Sequence, residues 1–105
     1  MSHGGEWAQV RLDRPLTVAD LAAHAAVSQA TLHRRFQVEL GTTPLAWLTA
    51  ERVTLACRLI ERGELRLDLV ARASGLGTAS NLRAQLRKRT GLTPTAYRRR
   101  FSLAT

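Results

Sequence analysis

The side chains in this 105-residue sequence best suited to chemistry are arginines, and two short stretches set them among small polar partners at helical spacing. In the first, Ala30, His33, Arg34 and Gln37 recur at i, i+3, i+4 and i+7. In the second, Ser80, Arg83, Ala84 and Arg87 repeat that spacing, with Asn81 alongside. An arginine fork matches the O6 and N7 acceptors of guanine, an asparagine amide matches adenine, and alanine can touch a thymine methyl. Base-edge reading in a DNA major groove is the chemistry these types could perform, although a solvated polar face would look similar. Ser28 and Thr78 stand at helix starts, where backbone N–H groups favour phosphate, with Gln29, Thr31 and Arg35 close by. Arg87, Lys88 and Arg89 lie further along the second stretch, where contact with phosphate is expected rather than base reading.

Charge placement supports a polyanionic partner. The formal net charge is +8. Residues 1–68 hold eight arginines and eight acids and are neutral, whereas residues 69–105 hold eight basic residues and no acid. The whole excess therefore sits in the last third, the footprint expected of nucleic-acid binding.

Both polar stretches belong to an internal repeat. Leu32 pairs with Leu82, Phe36 with Leu86, Gly41 with Gly91, Pro44 with Pro94 and Trp47 with Tyr97, at a constant offset of 50. One extra residue at Gly77 reduces the offset to 49 upstream, where Ala22 pairs with Ala71 and Val27 with Leu76. Two copies of one supersecondary unit are implied. Each copy reads as helix, short turn, helix. Thr17 and Asp20 are spaced as an N-cap and its return acceptor, Leu16 and Leu21 as a hydrophobic staple, and Ser28 and Thr78 as caps of the second helices. Gly41 and Gly91 are natural stops. Leu32, Phe36 and Leu40 in the first copy, and Leu82 and Leu86 in the second, should point inward. The second copy opens less well, because Arg66 stands where Thr17 caps the first.

Between the copies, Thr43 and Pro44 launch a helix that Gly63 can end, with Leu48, Leu55, Ala56, Leu59 and Ile60 as its apolar stripe. At about 18 residues it is a rod of roughly 27 Å, a suitable spacer for two helices entering major-groove segments ~34 Å apart. The expected organisation is all-α and a single domain over 1–105. Residues 1–5 are disordered or a cloning remnant, 6–41 form the first helix-turn-helix unit with a short helix near Trp7 and Val10, 43–62 the linker helix, and 65–101 the second unit.

Other function classes fare worse. No apolar run reaches the roughly 20 residues needed to span a bilayer, and a cytoplasmic, nucleoid-associated location is expected. The single cysteine, Cys57, reads as core packing. His3, His24 and His33 lie at no metal-ligand spacing, so neither cofactor nor metal is expected and an enzyme is the least favoured reading. The alternative to DNA binding is a helical protein-interaction module, for example one that contacts RNA polymerase.

Through "LTVADLAAHAAVSQATLHRRF", "GTTPLAWL", "ERVTLACRLI" and "GLTPTAYRRRF", spanning about Leu16 to Phe101, the sequence resembles the DNA-binding domain of AraC/XylS-family bacterial transcription regulators. The resemblance implies seven helices, two helix-turn-helix units joined by a long helix, and binding of a promoter or operator site across two adjacent major grooves. Base contacts carry over to Ala30, His33 and Arg34, and to Ala79, Ser80, Asn81, Arg83 and Ala84. It further implies a sensing or dimerising domain outside this chain, the isolated domain being monomeric. "TPLAWL" and "NLR" are similar to the branch whose partner domain is glutamine amidotransferase-like. Leu76 and Leu86 depart from phenylalanines of the family pattern, and Ala30 and Ala84 are short where longer side chains are common.

Overall fold

In the computed structural model, residues 17–101 are described and every regular element among them is a helix. There are six: α1 (Val18–His24), α2 (Gln29–Leu40), α3 (Pro44–Glu61), α4 (Leu67–Ser74), α5 (Ala79–Thr90) and α6 (Pro94–Phe101). Seven were expected; the short helix near Trp7 and Val10 lies outside the described residues, as does the staple residue Leu16. The chain divides into two compact units, 1–51 and 52–105, and the division falls inside α3.

The first unit is organised by its caps. Thr17 Oγ1 accepts from Asp20 N at 3.1 Å while Asp20 Oδ2 accepts from Thr17 N at 2.9 Å, a reciprocal capping box that satisfies two N-terminal donors of α1. Ser28 caps α2 by accepting from Thr31 N at 3.1 Å. Leu21 and Ala22 of α1 meet Leu32 and Phe36 of α2 in a small core, flanked by Val18, Ala25, Val27 and Trp47. Phe36 and Trp47 pack edge to face, 5.6 Å between centroids, a geometry that suits the ring quadrupoles.

Leu40 departs from expectation. It continues the Leu32, Phe36 spacing but is 50% exposed, and neighbouring Val38 is 80% exposed. The facing helix α1 has only seven residues against the twelve of α2. The last turn of α2 therefore outruns the element that would cover it.

The second unit has the larger core. Val53, Ala56, Cys57 and Ile60 of α3 join Val70, Ala71, Leu76, Leu82, Leu86 and Tyr97. Cys57 is buried there, as its position in the helical stripe implied. Tyr97 Oη donates to Glu61 Oε2 at 2.6 Å, tying α6 to the end of α3. Arg66 does precede α4 without a side-chain cap, and Asp68 in the first turn accepts from it at 3.0 Å instead.

Candidate nucleic-acid interface

Burial of Leu32 (1% exposed) and Phe36 (3%) turns the opposite face of α2 to solvent. Ala30, His33, Arg34 and Gln37 all lie on it, exposed, and Gln29 and Arg35 are exposed at the flanks of the buried stripe. Thr31 is half-buried at the edge. A short hydrogen-bonded ladder runs along the helix start: Ser28 Oγ donates to Thr31 Oγ1 at 3.0 Å, and Arg34 Nη2 donates to the same oxygen at 3.4 Å. The guanidinium of Arg34 is thereby drawn toward the N-terminal end of α2, where the helix dipole is positive.

Leu82 and Leu86, both fully buried, orient α5 in the same way. Ser80, Asn81, Arg83, Ala84, Arg87, Lys88 and Arg89 are exposed, Thr78 is exposed at the cap, and Ala79 is half-buried in the first turn. Thr78 Oγ1 accepts from Asn81 N at 3.1 Å. The last turn of α5 carries Arg87, Lys88 and Arg89, a concentration of positive charge that the last turn of α2 lacks. Of the arginines on α6, Arg98 donates to Leu65 O at 3.4 Å and Arg100 lies 5.9 Å from the Phe101 centroid, while Arg99 is exposed.

On each helix the expected base readers other than half-buried Ala79 are exposed, whereas Gln29 and Arg89, three residues from buried Leu32 and Leu86, stand nearer the buried stripe. Two features of the site were not anticipated. The Asn81 side chain bonds within the protein, its Nδ2 donating to Leu76 O at 3.0 Å and its Oδ1 accepting from Gln85 Nε2 at 3.4 Å. The extra glycine at 77 was the signal in the sequence that this turn differs and needs additional support. The second feature is the exposure of Leu45 (61%) in addition to Val38 and Leu40 in the first unit. Among the described residues no group of His, Cys, Asp or Glu could hold a metal, and no helix is long and apolar enough to cross a membrane.

A family profile described as a helix-turn-helix domain matches residues 21–100. The chain is 41% identical over 86 residues to an AraC-like transcription regulator of Streptomyces lividans, a match covering 82% of this chain and 28% of that protein. It belongs to the AraC-type helix-turn-helix domains. The AraC-type chain is also 34% identical over 84 residues to RclR of Escherichia coli K12, an RCS-specific transcriptional activator, covering 80% of this chain and 30% of RclR. It therefore spans under a third of the length of either relative. The DNA-binding domain of AdpA, a global transcriptional factor solved in complex with a target DNA, superposes with a TM-score of 0.89 at 36% identity, covering 95% of this chain and 90% of that one.

Proposed function

We propose that this AraC-type domain binds double-stranded promoter or operator DNA with sequence preference, in bacterial transcription regulation, by placing α2 and α5 in adjacent major-groove segments. The observation that carries the reading is that two capped helices, each the second of a helix-turn-helix unit, bury an aliphatic or aromatic stripe and expose arginine with small polar neighbours. The likeness to AdpA bound to its target supports it. Arg34 and Arg83 are the guanine readers, His33, Gln37 and Ser80 supplement them, and Ala30, Ala79 and Ala84 offer only methyl contacts. Ser28, Gln29, Thr31, Arg35, Thr78, Arg87, Lys88 and Arg89 hold the backbone.

Salt dependence tests this reading. If about six phosphates are neutralised, log K should fall against log salt with a slope near −5 while preference for one site persists. Equal affinity for every duplex at all salt concentrations would sink the specificity claim.

The intact regulator, in this reading, carries a sensing or dimerising domain of glutamine amidotransferase-like kind, and the isolated domain is monomeric and works in the cytoplasm on the nucleoid. The exposure of apolar Val38, Leu40 and Leu45 in the first unit favours a second contact, with RNA polymerase. Val38→Ser should then leave DNA affinity unchanged and reduce retention of polymerase on a promoter fragment; unchanged retention would remove that role.

A further inference from the structure

The turns of the two units differ by one residue, and the longer one poses a bonding problem. In the first unit Val27 N donates to Ala22 O at 3.0 Å and closes the turn directly onto α1. The matching carbonyl in the second unit, Ala71 O, is reached at 2.9 Å by Gly77 N, one residue later than the repeat would place it. Thr78 N then bonds back to Leu76 O at 3.1 Å across Gly77, whose φ is +86°. An i→i+2 bond across a residue of positive φ marks a γ-turn of the rare hand, which glycine, lacking a Cβ, adopts without the strain it would impose on other residues. Glycine's backbone freedom leaves the turn little fixed by itself, so its geometry depends on the bonds around it.

Asn81 supplies one of those bonds. Its Nδ2 donates to Leu76 O at 3.0 Å, the carbonyl that Thr78 N also uses, so both lone pairs of that oxygen are occupied. Facing a carbonyl, only the amide nitrogen can serve, which fixes the orientation of the side chain. Oδ1 is left toward Gln85 on the next turn of α5. At the matching position of the first unit, Thr31 turns instead to Ser28 and Arg34, and the shorter turn has no γ-turn carbonyl to secure.

We infer that Asn81 is a positioning residue: it clamps the extended turn to α5 and so sets how Ser80 and Arg83 are presented, and it does not read adenine. Two of the four hydrogen-bonding positions of its amide are engaged inside the unit, and swinging it out to a base edge would release Leu76 O. The consequence for recognition rests on the DNA-binding reading above; the clamp itself does not.

The test compares wild type with Asn81→Ala and Asn81→Asp, the latter keeping size and an acceptor for Gln85 but losing the donor. Amide exchange of the DNA-free proteins at Gly77 and Thr78 should speed up about five- to tenfold in both variants, the loss expected for one hydrogen bond. At a temperature where all three proteins are fully folded, selection from a library of duplexes should show preference flattened together at the base pairs under Ser80 and Arg83, with the preference under α2 unchanged. Unaltered exchange at both amides would overturn the clamp, and loss of preference confined to one A·T pair would make Asn81 a base reader. Should wild type show no sequence preference at all, the DNA-binding reading fails while the exchange measurement still decides the clamp.

Discussion

The two helix-turn-helix units share a plan and secure it by different means. The first relies on local devices: a reciprocal capping box at Thr17, a serine cap at Ser28 and one aromatic pair, Phe36 with Trp47. The second lacks a side-chain cap on α4, and aliphatic Leu86 stands where the first has Phe36. Two other bonds stand in their place, the long-range one of Tyr97 on Glu61 and the local one of Asn81 on Leu76. Charge divides in the same way, the described acids of the second unit ending at Asp68 while its basic residues continue to Arg100. In the DNA-binding role proposed above, this difference assigns the reading to the polar face of the neutral unit and the anchoring to the basic one.

Substitutions can separate the two strategies. Phe36→Ala empties the centre of the smaller core and should cost about 3–5 kcal/mol. Unit-resolved amide exchange during urea unfolding should show the loss in α1 and α2; an equal loss in α4 and α5 would show that the units do not hold their stability separately.

Tyr97→Phe removes one hydroxyl from the second unit and should cost about 1–3 kcal/mol, because it leaves a half-buried Glu61 carboxylate without its donor. The same group should make the second unit alkali-sensitive. Burial, then the bond to Glu61 and the nearby Cys57, push the Tyr97 phenol far up from its ordinary 10.0. Burial likewise raises the Cys57 thiol from 9.0, against a lowering bond from Tyr97 and with a raising contribution from Glu61. Both groups are favoured protonated in the fold. Their stabilisation is complete below the unfolded values and is lost as pH rises above them toward the folded ones. No tyrosine or cysteine lies among the described residues of the first unit, so alkali should loosen α4 to α6 first. Loss of both units at the same pH, or an alkaline transition unchanged in the Tyr97→Phe variant, would contradict this assignment.

The smallest effect concerns the turns. Ala26 has a φ of +57°, the matching Gly75 a φ of +84°. A left-handed backbone strains alanine but suits glycine, whose greater freedom in the unfolded chain offsets part of the gain. Ala26→Gly should stabilise the first unit by about 0.5 kcal/mol, and a measured loss of stability would mean that the Ala26 methyl contributes packing that outweighs the strain.

Much of this architecture was legible because it is local or periodic. Caps act over three residues, apolar stripes follow the helical repeat, and the offset between the units marks both the shared plan and the extra residue at Gly77. What escaped depends on where elements run out or meet. Leu40 keeps the inward spacing, but whether a residue is covered depends on the length of the helix opposite. The Tyr97–Glu61 bond joins positions 36 residues apart, and neither side chain announces the other. The internal bond of Asn81 was the least legible, because an exposed asparagine in the first turn of α5 has the type and spacing of a base reader. Only the path of the preceding turn reveals its bond to Leu76.

The division of labour between the units is tested most directly by selecting preferred duplexes from a random pool with wild type and with Arg34→Ala. The segment whose preference the substitution erases is then assigned to α2. The account predicts that this segment carries the stronger base preference, with a weaker one about a helical turn away under α5. A stronger preference in the segment that survives Arg34→Ala would contradict it.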